Sequence, residues 1–283
     1  MEVNSWLTGR RGISLPFSDA CEPLAQDAAS FDALLQAAIS HGRKRQWRYL
    51  DLRGGRRFLP ECPASMQCYT HYIPLQEDEC AMFARFAHSN RRAIRKAMEG
   101  GLRVEVSRGI EALRSFYAIH CRTRRRHGLP PQPFSFFSQI HRHILSRDEG
   151  RVFLAFVEEK PVAGAMFLES GRTALYKFAA SDAAHQSLRP NNLLLWRAIQ
   201  WYARFGFDRI DLGRTSMGNP GLRRFKQSWG ATETSHDYFR YNVSAGRFTS
   251  APNPETGWHN RLFRTLPGFV SRLLGNVLYR HVA

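Results

Sequence analysis

The second half of the chain alternates between apolar runs and polar loops in a pattern typical of an α/β domain. Period-two alternation predicts a strand over residues 173–181, and a polar loop that contains Arg189 follows it. An apolar face at helical spacing then predicts a helix over residues 192–205, and a further strand is expected over residues 207–212. Ligands in α/β folds bind where strands end and helices begin, so we expect the site in this segment.

The same patterns predict mixed α and β structure along most of the chain. Strands are expected at residues 12–17, 47–52, 67–74, 102–106, 151–158, 161–169 and 236–242, and helices at residues 31–40, 89–99, 110–126 and 134–145. The order in the second half is β-α-α-β-β-β-α-β-β. This order predicts an α/β (α+β) fold in which helices flank a mixed sheet, similar to acyltransferases of the GNAT type.

Changes in composition divide the chain into three predicted parts. Residues 1–87 form a small β-α-β-β region, and residues 88–245 form the main domain. Residues 246–283 begin as a linker rich in Gly, Ser, Pro and Asn and continue as a tail. Apolar residues recur at helical spacing between the arginines of this tail, which predicts basic amphipathic helices over residues 258–280. Such helices bind anionic membrane surfaces, or alternatively pack on the protein's own core or on a partner.

Charge and cysteine content narrow the choice of partners and compartment. The chain has 283 residues, 41 Lys and Arg against 24 Asp and Glu, and a formal net charge of +17. This excess predicts an anionic partner: a nucleotide, a nucleic acid, an anionic substrate or a membrane surface. Five cysteines without a CxxC motif indicate reduced thiols and no metal site. There is no run of 18 apolar residues and no signal peptide, so we expect a cytoplasmic protein.

Five segments resemble the FemAB family, and more narrowly the FemAB-like proteins associated with exosortase and polysaccharide gene clusters. These segments are RRAIRKAMEGGLRVEV, FYAIHCRTRRRHGLPPQPFSFF, ALYKFAASD, LRPNNLLLWRAIQWYARFGFDRIDLGRT and GLRRFKQSWGA. The resemblance covers about residues 10–245 and is most specific over residues 122–230. It implies a tandem GNAT-like fold, with the first half truncated because family members carry a longer N-terminal part. It also implies acyl or aminoacyl transfer to an amine, with aminoacyl-tRNA as donor and a peptidoglycan precursor as acceptor in characterised relatives.

Lys226 and Asp211 are the candidate catalytic residues. Acyl transfer to an amine passes through a tetrahedral intermediate with negative charge on oxygen, and a fixed cation lowers that barrier. The resemblance implies that Phe225 and Lys226 sit at the acyl-transfer centre; alternatively, Lys226 is an ordinary solvated lysine. Asp211, followed closely by Arg214 in DLGRT, could accept the proton of the amine, or it could only pair with that arginine.

Arg189 and Asn191 are candidate substrate-binding residues at the start of the long helix. A helix N-terminus suits a phosphate or a carboxylate, although the asparagines could simply cap the helix. GNAT acetyltransferases use a glycine-rich (Q/R)xxGx(G/A) loop here to hold the coenzyme A pyrophosphate. The corresponding loop in this chain, QSLRPNN, has no glycine, which disfavours coenzyme A because close backbone approach is harder.

Six further residues are candidates for contacts with substrate, and Arg214 and Phe225, introduced above, are two of them. Tyr176 and Lys177 lie on the strand before the loop, where alternation directs one of them toward the cleft; the alternative for Tyr176 is core packing. Arg124 and Arg125 precede a proline-rich loop and could clamp phosphates, or could complement the dipole of their own helix.

The sequence therefore predicts an acyl- or aminoacyltransferase that modifies an amine of an anionic cell-envelope precursor, either peptidoglycan or polysaccharide. It needs no cofactor or metal beyond the donor, which is aminoacyl-tRNA or acyl-CoA. The alternatives are a CoA-dependent N-acyltransferase and a non-catalytic binding module in envelope polysaccharide assembly. Nucleic-acid binding alone fits less well, since the interleaved exposed aromatic residues and known modules of that class are missing. We expect the protein in the cytoplasm, peripheral on the inner membrane face.

Overall fold

The computed structural model describes residues 1–6, 8–75, 78–250 and 268–281. The last residues of the predicted linker and the first part of the predicted amphipathic tail therefore lie outside the described residues. The described part of residues 1–99 has four strands and three helices, the last of which lies beyond the first region. They are β1 (Glu2–Ser5), β2 (Gly9–Ile13), α1 (Ala28–Lys44), β3 (Tyr49–Leu52), β4 (Met66–Pro74), α2 (Glu79–Arg85) and α3 (His88–Glu99).

The remaining elements follow the predicted order closely. They are β5 (Arg103–Ser107), α4 (Ile110–Arg126), α5 (Phe134–His143), β6 (Gly150–Val157), β7 (Lys160–Ser170), β8 (Thr173–Ser181), α6 (Pro190–Arg204), β9 (Arg209–Ser216), α7 (Pro220–Gln227), β10 (Thr232–Asn242), β11 (Arg247–Thr249) and α8 (Gly268–Leu278). A 3-10 helix, Ala183–Leu188, lies between β8 and α6.

All of these strands join one mixed sheet. Its order is β1-β2-β3-β10-β4-β9-β8-β7-β6-β5, and β11 pairs with β10. Most neighbours are antiparallel, whereas β2 with β3 and β8 with β9 are parallel. Strand β4 lies between β9 and β10, so the region 1–87 supplies a strand to the middle of the sheet. The α/β (α+β) class with a mixed sheet flanked by helices is confirmed, and the boundary between residues 87 and 88 stays a prediction.

Helices cover both faces of the sheet. On one face α6 buries Leu194, Ile199 and Tyr202 against apolar residues of β6, β7 and β9. On the other face α4 and α5 bury a second cluster, in which Phe116 and Phe137 lie 5.9 Å apart edge to face. The burial of such side chains supplies most of the free energy that stabilises the packing of the helices on the sheet.

Strands β8 and β9 separate beside the start of α6. They pair in parallel over only three residue pairs, which end at Leu175 and Asp211. Both strands continue beyond this point, β8 to Ser181 and β9 to Ser216, and each keeps only its other neighbour. The two strands therefore splay apart, and the splay opens a gap in the middle of the sheet.

Two differences from the sequence prediction affect the site. The strand expected over residues 12–17 is β2, which ends at Ile13; the chain then leaves the sheet, and Phe17 adopts a φ of 63°. Helix α7 was not expected, because Pro220 and Gly221 indicate a turn. Proline is nevertheless well suited to the first helical turn, and the Asn219 side chain accepts a hydrogen bond from the Leu222 amide there.

Candidate active site

Lys226 extends from α7 to the backbone of β9. Its side chain is buried, with 5% of the residue exposed, and its Nζ donates to the carbonyl oxygens of Gly213 at 2.8 Å and Arg214 at 2.9 Å. Burial lowers the pKa of this ammonium to about 8, although Asp19 and Asp211 oppose the shift. An ammonium has three protons, so two of them hold the strand and one is left for a ligand.

Asp211 lies at the point where β8 and β9 separate. Its Oδ1 accepts a hydrogen bond of 2.7 Å from the amide of Gly213, which adopts a φ of +70°. Burial raises the pKa of the carboxyl group, and the bond from Gly213 partly offsets the rise. Among the described residues, no ion pair joins Asp211 to Arg214. Asp211 and Lys226 thus bind the same short segment of β9, one through an amide and the other through carbonyl groups.

A cavity of about 390 Å³ adjoins this segment. We call it the arginine cavity. It is lined by residues 17–19, Arg53, Arg124, residues 129–132, Arg214, Gly275, Leu278 and Tyr279. Asp19 connects the cavity with the segment of β9, since it approaches Arg214 Nε to 3.7 Å and lies against Gly213.

Two of the arginines of this cavity lie over the same aromatic ring, that of Tyr238. The guanidinium groups of Arg53 and Arg214 lie over the ring of Tyr238, 5.9 and 5.8 Å from its centroid. The Tyr238 hydroxyl donates to the backbone carbonyl of Asp19. At the rim, Lys177 Nζ donates to the carbonyl of Phe17 at 2.6 Å. These contacts fix the segment after β2 against β10 and β8.

The structure brings together some of the predicted residues. Arg124 and Arg214 line the arginine cavity, Lys177 contacts its rim, and Asp211 and Lys226 hold the adjoining backbone. These residues come from the end of α4, from strands β8 and β9 and from α7. Because these elements are separate in the sequence, the order of elements alone does not predict that the residues converge.

The other predicted residues lie elsewhere. Tyr176 packs against Phe167, with ring centroids 5.0 Å apart, and burial raises the pKa of its hydroxyl, so core packing accounts for its position. Phe225 is partly exposed on α7, and its ring contacts Trp229 edge to face. Arg125 lines a different depression, described below. The roles of these three residues in substrate binding stay predictions.

The start of α6 forms a second basic surface, near the end of β8. Arg189 is exposed and adopts a φ of 60°, and the Asn191 side chain donates to Ser181 Oγ at 3.1 Å. A depression of about 440 Å³ lies beside them, and its lining includes Arg122, Arg125, Arg126 and residues 181–183. We call this surface the α6 basic surface. Neither Arg189 nor Asn191 lines the arginine cavity, and their roles in substrate binding stay predictions.

Asp19, Arg53 and Tyr238 are site residues that sequence reasoning missed. Arg53 carries a usable signal, because it follows β3 directly and precedes two glycines, as a residue at a strand end does. Asp19 has only an acidic side chain in a proline-containing loop to indicate a role. Its position depends on the chain leaving the sheet after Ile13 and crossing toward β9, which no local pattern predicts.

In the part of the chain that the structure describes, no three His, Cys, Asp or Glu side chains come close enough to hold a metal ion. None of the described helices combines the length and the apolar composition needed to cross a bilayer. The expectation of metal-free chemistry stays a prediction.

Comparison with known proteins connects this geometry to a family. Residues 84–239, more than half of the chain, match the family described as "Acetyltransferase (GNAT) domain". The chain belongs to the GNAT acetyltransferase family. The GNAT part of the expected resemblance is thereby confirmed, and this GNAT protein is an acyltransferase. A search of curated proteins found no match to it.

Solved structures show the same fold. FemX superposes with a TM-score of 0.64 at 16% identity, covering 76% of this chain and 77% of FemX. The C-terminal domain of a putative lysylphosphatidylglycerol synthetase from Agrobacterium fabrum gives 0.56 at 14% identity, with 75% and 73% covered. A tandem GNAT protein from the clavulanic acid biosynthesis pathway gives 0.52 at 12% identity, with 78% and 72% covered. At these identities the likeness concerns the fold, and it agrees with the expected tandem GNAT arrangement.

Proposed function

We propose that this GNAT acyltransferase is FemAB-like and transfers an acyl or aminoacyl group to an amine of an anionic cell-envelope precursor. One observation carries the proposal: the gap after Leu175 and Asp211 adjoins both the Lys226-held segment of β9 and the arginine cavity. A donor and an anionic acceptor that approach from the two sides would meet beside a carboxylate and a buried ammonium.

In the proposed reaction the acceptor amine attacks the carbonyl carbon of the donor. A C–N bond forms, the C–O bond of an ester or the C–S bond of a thioester breaks, and the leaving oxygen or sulfur takes up a proton. Asp211 accepts the amine proton, directly or through water, and its raised pKa improves it as a base near neutral pH. The remaining proton of Lys226 and the charge of its ammonium stabilise the negative oxygen of the intermediate.

The loop before α6 favours aminoacyl-tRNA over acyl-CoA as the donor. In QSLRPNN the Arg189 amide donates to the Gln186 carbonyl, the Asn192 amide donates to the Arg189 carbonyl, and Pro190 has no amide proton. A pyrophosphate held by backbone amides would find few free donors there. The α6 basic surface instead offers exposed guanidinium groups, which suit the phosphates of a longer polyanion.

The names of two fold relatives support an envelope acceptor. One is FemX, and another is named for lysylphosphatidylglycerol, an aminoacylated lipid. Their likeness to this chain concerns the fold, so the acceptor rests on the charge of the arginine cavity and on the resemblance to the FemAB family. Localisation on the cytoplasmic membrane face belongs to the same proposal.

Mass spectrometry of envelope precursors tests the function. Cells that lack the protein, cells that express it and cells that express an Asp211→Asn variant are compared. A mass increment on one precursor that needs the unmodified protein supports the proposal. In vitro, purified protein with aminoacyl-tRNA or with acyl-CoA then identifies the donor. Transfer from acyl-CoA alone would establish the CoA-dependent alternative. Identical precursors in all three cell lines would indicate a binding module instead.

A further inference from the structure

The arginine cavity contains more positive than negative charge. Three guanidinium groups, those of Arg53, Arg124 and Arg214, line it, against the single carboxylate of Asp19. Among the described residues that carboxylate forms an ion pair only with Arg214, and its distance of 3.7 Å is long for a charge-assisted hydrogen bond. The cavity therefore has capacity for an added anion.

The guanidinium of Arg124, like that of Arg53, donates only to backbone carbonyl groups among the described residues. Its Nε and Nη2 both donate to the carbonyl oxygen of Pro130 at 3.2 Å, and no carboxylate in the described part of the chain lies within ion-pair distance. Burial lowers the pKa of this guanidinium, which means that its charge is held at a desolvation cost. A ligand anion would offset that cost.

Most of the remaining cavity wall is apolar, and Ser18 and Gln132 are its uncharged polar residues. Leu129 and Pro131 form one side, and Leu278 lies on the opposite side. The two sides approach closely because α8 has a glycine at residue 275: a Cβ there would lie 2.0 Å from the carbonyl oxygen of Pro131. Tyr279 completes the wall by stacking on Phe17, with ring centroids 5.1 Å apart and planes 16° apart.

We infer that the arginine cavity binds an alkyl chain that ends in a phosphate or a carboxylate. The anionic group lies among Arg53, Arg124 and Arg214, whose forked donors match both kinds of oxygen anion. The chain lies along Leu129, Pro131 and Leu278, where leaving water is favourable. The volume of about 390 Å³ is in the range of small-molecule sites. Identification of this amphipathic anion as the acyl acceptor rests on the proposed function, whereas its binding does not.

Calorimetric titration of the full-length protein tests the inference, with octyl phosphate and nonanoate as probes below their micelle concentrations. Octyl phosphate should bind at least about tenfold more tightly than inorganic phosphate, which lacks the alkyl chain, or 1-octanol, which lacks the anionic group. Extension of the chain from hexyl to octyl should tighten binding by roughly fourfold for each methylene. Whichever of the phosphate and carboxylate probes binds more tightly identifies the anionic group, and tight binding of either supports the inference.

Two variants locate the bound probe. Arg124→Gln and Arg214→Gln should each weaken octyl phosphate binding by about tenfold, through loss of a charged fork. Arg142→Gln, at an exposed arginine of α5, is the matched control and should leave it unchanged. Circular dichroism verifies the folding of each variant.

The inference is overturned if neither probe binds, or if both cavity variants keep the full affinity. It is also overturned if inorganic phosphate or 1-octanol binds as tightly as octyl phosphate. The titrations contain no acyl donor, so loss of transfer activity does not affect them. Conversely, if the protein is an active transferase but binds neither probe, only the assignment of the arginine cavity is wrong.

Discussion

Leu175 and Asp211 are the last residues to pair between β8 and β9, and the two strands separate directly after them. Asp211 is thus placed at the apex of the gap by the sheet itself, not by a mobile loop. Its side chain is further fixed by the Gly213 amide. A carboxylate held by strand geometry and by one hydrogen bond is well oriented for proton transfer.

Replacement of Asp211 by Asn should separate catalysis from folding. Asparagine keeps the acceptor oxygen for the Gly213 amide but cannot take a proton, so transfer should fall by about a hundredfold or more. The midpoint of thermal unfolding should not fall, because a buried charge is removed. Single-turnover transfer and calorimetry measure the two effects. Asp208→Asn, at a carboxylate paired with Arg172, is the control; equal turnover in both variants would remove Asp211 from the mechanism.

Lys226→Met should reduce both stability and transfer. The carbonyl groups of Gly213 and Arg214 lose their donor, which should cost about 1–3 kcal/mol of unfolding free energy, and transfer should fall on the order of a hundredfold. Denaturant titration and a transfer assay measure these changes, with exposed Lys96→Met as the control. A folded variant with normal turnover would leave Lys226 a purely structural role.

The pH dependence of stability should also identify Lys226. Its pKa is lowered from 10.5 to about 8 in the folded protein, so the unfolded state binds more protons between these values. Stability therefore rises with pH across this window in the unmodified protein relative to Lys226→Met. Denaturant titrations at pH 7.5, 9 and 10 compare the two proteins, and parallel profiles would contradict the shift.

His120 should make the protein sensitive to acid. The imidazole is 3% exposed, its Nε2 lies 2.7 Å from Gln132 Oε1, and burial beside aromatic rings lowers its pKa from 6.5 to about 4. The unfolded state binds more protons between these values, so stability is lost as pH falls from 6.5 toward 4, by on the order of 2–3 kcal/mol. His120→Gln should flatten this part of the stability profile, while His88→Gln, at an exposed residue, should not. Equal slopes in all three proteins would disprove the assignment.

Gly275→Ala should displace α8 from the loop after α4. The added methyl group would meet the Pro131 carbonyl at 2.0 Å, which is backbone and cannot rotate away. Thermal stability and octyl phosphate affinity should both fall. Gly221→Ala is a matched change inside helix α7, where the nearest atom lies at 3.7 Å, and it should be neutral or slightly stabilising. Similar melting curves for the two variants would mean that α8 does not need the close contact.

The proposed peripheral membrane contact makes a separate prediction for α8. Leu273 and Val277 are 61% and 43% exposed on this helix, while Leu278 faces the cavity. Flotation with anionic vesicles should show salt-sensitive binding that weakens on Leu273→Asp with Val277→Asp. Leu34→Asp, at an exposed leucine of α1, serves as the control. If the double variant floats as the unmodified protein does, the exposed residues of α8 do not contribute to membrane binding, and α8 only packs on the protein.

The sequence was sufficient for most elements and for part of the site. The bounds of α4 and β8 agree with their hydrophobic patterns, since both elements bury one regular face. The position of Asp19 could not be predicted, because it depends on long-range packing. Helix α7 was missed because Pro220 and Gly221 serve equally well in a turn and in a first helical turn.

The position of β4 has a consequence during synthesis of the protein. Its hydrogen-bonding partners are β9 and β10, both of which leave the ribosome long after it. Until then residues 66–74 lack both of their strand partners, and unpaired segments of this kind pair readily with other chains. The central sheet can close only late in translation, so we expect the nascent chain to depend on chaperones over this interval and refolding to be slow for its length.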